Sequence, residues 1–301
     1  MKNPDFAIFI LTHARPNNIK TIKTLKKCGY TGLIYFIIDN EDKTRDKYIR
    51  NFGEEKVHVF DKKYYADLID EGNNFDERRT ITHARNASFD IAKKIGITYF
   101  MELDDDYTAF HFRFPDQQNE KLLFKSVPDL DYIISLYLDF YKKTKFKSIA
   151  FAQGGDFIGG VGNPTVIRRP LMRKCMNSFI CSTERKFQFV GAMNEDVNTY
   201  TTLGSRGNLF GTVPMVNLVQ EATQSNSGGI TDMYLKYGTY CKSFTTVIMM
   251  PSSVKVSMMN SNNPRLHHQI KWENTVPKII DEKHSKIKKN ENSRTAINRG
   301  I

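Results

Sequence analysis

Four short apolar runs, each followed by a polar or amphipathic segment of helical length, constrain this chain more than any other feature. FAIFILT (6–12), LIYFIID (33–39), KVHVF (56–60) and ITYFMEL (97–103) read as strands. The longer runs have no polar face, as expected of strands covered on both sides in a parallel sheet. After the first run, Pro16 suits the first turn of a helix, and Ile19, Ile22 and Leu25 recur at helical spacing until Gly29. A polar helix is expected over about 43–52, then a mobile loop rich in Gly, Asn and charge over 70–79. Thr80 or Thr82 suits the cap of a helix over 83–95, whose Ala84, Ala87, Phe89, Ile91 and Ala92 form an apolar stripe ended by Gly96. This alternation implies βαβ crossovers and an α/β fold with a doubly wound, mostly parallel sheet. Ligands of such sheets bind beyond the carboxyl ends of the strands, where THAR (12–15) and Asp104, Asp105 and Asp106 fall.

The second half is less regular. A helix is expected near 129–144, a strand at SIAFAQ (148–153), a glycine-rich loop at GGDFIGGVGN (154–163) and a helix near 169–181. MNEDVNTYTTLG (193–204) reads as a loop entering a short helix, and LFGTVPMVNLVQ (209–220) as a strand or strand pair.

No run approaches the roughly 18 apolar residues that span a bilayer, and the first residues lead straight into a strand without a signal-peptide core. No membrane span and a cytoplasmic location are therefore expected. The four cysteines (Cys28, Cys175, Cys181, Cys241) are scattered without metal-ligand spacing and read as buried, reduced thiols. A net charge of +11 favours anionic partners such as nucleic acid, nucleotide or a membrane surface. Arg168, Arg169, Arg173, Lys174, Arg185 and Lys186 would line an acceptor face or form a solvated basic surface.

Three adjacent carboxylates at a strand end repel one another unless a cation neutralises them. Hard oxygen ligands select Mg²⁺ or Mn²⁺, which keep positions for a diphosphate. An acidic capping turn is the alternative reading of DDD alone. The whole unit ARNASFDIAKKIGITYFMELDDD (84–106) resembles glycosyltransferases of the GT-A fold, with an Arg-Asn helix, a glycine, an apolar strand and the DxD metal motif.

That resemblance implies metal ligands at Asp104 and Asp106, with Asp105 on ribose or sugar, the triple aspartate leaving the register open by one. It places Thr12, His13, Ala14 and Arg15 beside base and ribose, Asp39 on the nucleobase, and Arg85 and Asn86 on the donor. An arginine at a helix start is well placed to hold a diphosphate, whereas His13 and His83 equally suit capping or packing. His267 or His268 would add a metal ligand through a neutral imidazole, or would be surface histidines. An inverting sugar transfer needs a carboxylate base, for which Asp196 is the candidate and Glu195 the alternative. An acidic first turn complementing a helix dipole is the other reading of both.

More narrowly, FILTHARPNN, TIKTLKKCGYTG, YFIIDNED, ARNASFDIAKKIG, ELDDD, MNEDVNTYTTLG and HHQIKWENTVPKII are similar to glycosyltransferases associated with TET/JBP-type base oxidation. These include phage enzymes that sugar-modify hydroxylated DNA bases. The resemblance implies a UDP-sugar donor (glucose or a pentose such as arabinose), Mn²⁺ or Mg²⁺, and an acceptor such as 5-hydroxymethylcytosine in DNA. A base in duplex would turn out of the stack, with Phe157, Phe179 or Phe187 filling the space or simply packing in the core. The alternatives are a GT-A enzyme acting on a cell-envelope polysaccharide or protein, and a non-catalytic DNA- or nucleotide-binding module. One domain is expected over 1–280, with a nucleotide-sugar half (1–110) and an acceptor half (111–280), then a flexible basic tail (281–301).

Overall fold

The first apolar run becomes strand β1 (Phe6–Leu11), buried at every residue. Its alternate residues supply two cores, Phe6, Ile8 and Ile10 on one face of the sheet and Ala7, Phe9 and Leu11 on the other. A strand with no polar side is stable only between two covering layers. The computed structural model describes residues 4–72, 78–116, 118, 121–157, 160–162, 171–221, 236, 238, 240–259 and 264–277. Within them β1 pairs in parallel with β2 (Leu33–Asp39) and β4 (Tyr99–Asp104), and β2 pairs in parallel with β3 (Val57–Phe60). The crossovers carry α1 (Lys20–Lys27), α2 (Arg45–Phe52) and α4 (Thr82–Lys94), as the sequence implies. A further short helix, α3 (Lys62–Asp67), is capped by the Asp61 side chain.

The segments after Asp106 extend the same sheet. They are β5 (Tyr107–Asp116), β6 (Lys121–Ser126), β7 (Phe146–Ala152), β8 (Ser178–Ser182) and β9 (Leu209–Gln220), in the order β3-β2-β1-β4-β8-β7-β9-β5-β6. β8 runs antiparallel to both β4 and β7, β7 is parallel to β9, and β5 is antiparallel to β9 and β6. Helices α5 (Leu130–Lys143) and α6 (Glu195–Gly204) pack on it, β10 (Val254–Met259) and β11 (Arg265–Ile270) form a separate antiparallel hairpin, and α7 (Cys241–Met249) packs against α6 and that hairpin. The mixed α/β class is as expected, and one sheet runs through both halves of the chain.

Several local expectations need correction. The helix near 169–181 is not formed over its described residues: 171–177 are irregular, Asn177 has φ of +54° and 178–182 is β8. Phe179 and Cys181 enter one core and Ile180 the other, a period of two that only a strand provides. The segment 209–220 is one twelve-residue strand. The loop over 70–79 is tied at its first residues, since the carbonyls of Asp70 and Glu71 accept from Gly191 and Ala192, and residues 73–77 lie outside the described residues. Arg168, Arg169, part of the glycine-rich loop and the basic tail also lie outside them. Cys28, Cys175 and Cys181 are buried free thiols and Cys241 is half-buried. No helix among the described residues is long and apolar enough to cross a membrane.

Candidate active site

The parallel register places Leu11 opposite Asp104, so the loop after β1 meets the residues after β4. Thr12 donates to Asp105 Oδ2 at 2.7 Å and Arg15 Nη1 to Asp105 Oδ1 at 3.1 Å, which occupies both oxygens of the middle aspartate. Tyr48 OH accepts the Arg15 backbone N–H at 2.9 Å and lies 3.0 Å from the Thr12 hydroxyl, extending the chain of hydrogen bonds. Ala14 sits at φ +57°, held by its N–H on Asp42 Oδ2 at 2.8 Å. A non-glycine residue there stores about 1–2 kcal/mol, so the loop is stiffened by its carboxylate anchors.

At the end of β2, Asp39 is held by His13 Nδ1 at 2.6 Å and faces Lys62 Nζ at 3.6 Å. The hydrogen bond to Asp39 raises the His13 pKa against the opposing effect of burial. Burial pushes the Asp39 carboxyl up, but His13 and the Lys62 charge outweigh it and hold it below its ordinary value.

Arg85 is the electrostatic centre. Helix α4 delivers it 1% exposed, with Nε on Glu195 Oε1 at 3.0 Å, Nη2 on Asp104 Oδ1 at 3.1 Å and Nη1 on Glu102 Oε2 at 3.4 Å. The guanidinium lies over the Phe179 ring, 5.0 Å from its centroid. Burial alone would lower its pKa, but Asp104, Glu195 and Glu102 more than reverse that, so Arg85 stays charged. Glu102 is pushed up to about 8 by burial, which the Arg85 charge only partly opposes. Neighbouring Asn86 spends its side chain on the backbone of Phe189, donating at 3.0 Å and accepting at 2.8 Å, and so clamps α4 to the segment before α6.

Asp104 and Asp106 share one neighbour. Gln220, the last residue of β9, aims Nε2 at Asp106 Oδ1 at 3.0 Å and Asp104 Oδ2 at 3.4 Å. Burial and then the Asp106 charge push Asp104 up to about 7, although Arg85 lowers it, and burial raises Asp106 too. Two hard carboxylates that repel each other in a partly dry site fit Mg²⁺ or Mn²⁺. Among the described residues no three His, Cys, Asp or Glu side chains come together to hold an ion. Oxygens of a bound diphosphate would complete the coordination.

Across Arg85, Glu195 and Asp196 form the first turn of α6, 8% and 7% exposed. Glu195 is engaged by Arg85, whereas Asp196 has no ion-pair partner among the described residues. Burial and then the Glu195 charge raise the Asp196 pKa above the ordinary carboxylate range. Asn194, at φ +54°, ties this turn to the C-terminal elements through Nδ2, which donates to the Lys242 carbonyl at 2.8 Å and Thr246 Oγ1 at 3.0 Å and lies 3.2 Å from His268 Nδ1. His268 thus stands on β11 beside Asn194 with His267 next to it in the strand, and charges of Lys174 and Lys242 act on both.

The structure therefore joins Thr12, Arg15 and Asp105 in one network, Arg85, Asp104, Glu102 and Glu195 in a second, and His13 and Asp39 in a third. His83, fully buried, is paired with Glu71 at 2.6 Å. Glu102, Gln220, Asp42, Tyr48 and Lys62 were not anticipated. Glu102 left a trace as the lone charge inside an apolar strand, while nothing local marks Gln220.

A family model described as TET-associated glycosyltransferase matches residues 6–229. No curated protein matches the chain. Among solved structures it is similar to glucosyl-3-phosphoglycerate synthase from Mycobacterium tuberculosis in complex with Mg²⁺ and UDP, at 10% identity and TM-score 0.44, over 88% of this chain and 87% of that one. A complex of that enzyme with Mn²⁺ and UDP-glucose is similar at 10% identity and TM-score 0.44, covering 88% and 86%. A third, with Mn²⁺, UDP and glucosyl-3-phosphoglycerate, is similar at 12% identity and TM-score 0.43, covering 88% and 87%.

Proposed function

The chain belongs to the TET-associated glycosyltransferase family and is a glycosyltransferase; from that premise we propose that it moves a sugar from a UDP-sugar, glucose or a pentose such as arabinose, to a hydroxylated pyrimidine in DNA, with inversion. The observation that supports the assignment of roles is the buried guanidinium of Arg85, which holds Asp104 on one side and Glu195 on the other, while Asp196 has no ion pair among the described residues.

On the donor side, Asp104 and Asp106 would hold Mn²⁺ or Mg²⁺, which neutralises a departing diphosphate. The bonds from Thr12 and Arg15 fix Asp105, and the bond from His13 with the nearby Lys62 charge fixes Asp39, so that their remaining acceptor capacity would meet ribose and base in a set orientation. On the acceptor side, Asp196 is the base. A carboxylate raised by burial is a better proton acceptor than an ordinary one. Glu195, engaged by Arg85, positions that base rather than replacing it. We assign the ion to the aspartates, since the charges of Lys174 and Lys242 act on His267 and His268 and disfavour a cation there.

The test incubates protein and Mn²⁺ with UDP-sugars and DNA containing cytosine, 5-hydroxymethylcytosine or 5-hydroxymethyluracil, and weighs the digested nucleosides by mass spectrometry. A sugar-sized gain on a hydroxymethylated base, lost in Asp196→Asn and on removal of metal, is expected. Sugar-nucleotide hydrolysis without any gain on DNA would reject the DNA acceptor and point to a cell-envelope polysaccharide or protein.

A further inference from the structure

The acids around Asp104 and Asp106 are already engaged. Asp105 spends both oxygens on Thr12 and Arg15, and Glu221 is held by Lys20. Asp104 gives Oδ1 to Arg85 at 3.1 Å, which leaves Oδ2 for an ion. That oxygen and Asp106 Oδ1 both face the carboxamide of Gln220, at 3.4 and 3.0 Å from Nε2. Ligands about 2.1 Å from one octahedral ion, at right angles to each other, stand about 3.0 Å apart. The end of the Gln220 side chain thus lies near the spacing that separates neighbouring ligands of one ion.

The backbone fixes Gln220 in that place. It ends β9 opposite Tyr107, the first residue of β5, and the next N–H, of Glu221, donates to the Asp106 carbonyl at 3.4 Å. The other end of the carboxamide, Oε1, accepts from Asn177 Nδ2 at 3.4 Å, and the Asn177 carbonyl accepts from the Tyr107 hydroxyl at 2.6 Å. The two ends of a carboxamide have the same shape, so half a turn exchanges donor for acceptor without moving the chain. Two bare carboxylates demand the NH₂ end, whereas a cation between them demands the oxygen, and the amide of Asn177 can turn in concert. A neutral oxygen also adds a ligand without adding to the repulsion between Asp104 and Asp106.

We infer that Gln220 is the third protein ligand of the divalent ion, its Oε1 joining Asp104 Oδ2 and Asp106 Oδ1. The inference rests on the reading that the two aspartates hold Mn²⁺ or Mg²⁺. Hard divalent ions accept carbonyl oxygens beside carboxylates, and no acid, cysteine or histidine completes a trio among the described residues. The ion would then be held from the ends of both β4 and β9, so that its site is complete only when β9 is docked in the sheet.

Electron paramagnetic resonance of Mn²⁺ titrated into the full chain at saturating UDP measures affinity, and deuterium modulation in heavy water counts the waters on the bound ion. Wild type, Gln220→Met, Gln220→Glu and Asp106→Ala are compared. Gln220→Met is expected to weaken Mn²⁺ binding by about tenfold or more, the loss seen even for residues that only support a ligand, and to gain one bound water. Gln220→Glu is expected to keep the wild-type water count, its carboxylate standing where the carboxamide stood. Weaker binding in Gln220→Met with an unchanged count would overturn the inference and make Gln220 a positioning residue for the aspartates. Unchanged affinity would overturn it too, as would one water fewer in Gln220→Glu, since that carboxylate would be displacing water instead of replacing a ligand. If circular dichroism shows Gln220→Met unfolded, the count in Gln220→Glu carries the test. Asp106→Ala tests the underlying reading. If it binds Mn²⁺ as wild type does, or if wild type binds none, the ion is not on the aspartates and the inference falls with that reading. Loss of binding in Asp106→Ala, with Gln220→Met unaffected, keeps the aspartates and rejects Gln220.

Discussion

Replacing Arg85 by Met would keep an unbranched side chain against Phe179 and Phe189 while removing the only cation that Asp104, Glu102 and Glu195 share among the ion pairs described. Breaking a buried ion pair by deleting one partner costs about 3–5 kcal/mol. Three acids lose their partner here, which would enlarge the loss. Glu102 and Asp104, however, already sit at about 8 and about 7 with Arg85 present, so without it they take up protons near neutrality. That uptake holds the expected loss at pH 7.5 to about 3–5 kcal/mol. The sign of the pH dependence follows from the same shifts. A group whose folded pKa is raised stabilises fully below its unfolded pKa, and that stabilisation is lost as pH rises through the folded value. The variant should therefore recover stability as pH falls, by about 1.4 kcal/mol per pH unit for each extra proton bound. Urea denaturation followed by far-ultraviolet circular dichroism at pH 7.5 and 6.0 measures both quantities. A loss under about 1 kcal/mol at pH 7.5, or one that does not shrink at pH 6.0, would refute Arg85 as the neutralising centre.

Two further outcomes follow from the geometry. Because burial and the Glu195 charge raise Asp196, and because a base must be ionised, the acid limb of kcat/KM should lie above the ordinary carboxylate range; Glu195→Gln should move it down, and an unmoved limb would remove Asp196 from that role. A Cβ on Gly204 would stand 2.0 Å from the Thr275 backbone oxygen, so Gly204→Ala should cost about 1–3 kcal/mol, and an unchanged urea midpoint would contradict the close docking of 272–275 on α6.

What was legible in the sequence follows from where the information resides. The strands β1, β2 and β4 declare themselves because residues buried on both faces must be apolar throughout, and the helix over 82–94 because its stripe and terminal Gly96 are local features. The 178–182 strand was misread because Met172, Cys175, Met176 and Phe179 mimic helical spacing, while the turn at Asn177 has no strong signature. β5 carried its signal in FHFRF (110–114), an alternation that suits a strand with one buried face, although it lies beside the aspartates in the chain. At the site, the acidic residues were visible as clusters, yet their partners were not. Gln220 lies more than a hundred residues from the aspartates it binds, and Arg85 reads as a donor-facing helix residue until its three carboxylates are seen around it. Sequence marks which groups carry charge, while their pairing is decided by the sheet order.

That order bears on how the enzyme can be taken apart. β8, β7 and β9 insert between β4 and β5, so the chain reaches the far side of the sheet before returning, at Gln220, to the aspartates it left at residue 106. A fragment ending near residue 110 would retain Asp104–Asp106 and Arg85 but forfeit both Gln220 and Glu195. The first 110 residues are therefore not a portable cassette. A chimaera that exchanges the segments beyond residue 110 must supply a carboxamide and a carboxylate at those two places, so the side chains that hold Asp104, Asp106 and Arg85 are inherited with the second half of the sheet.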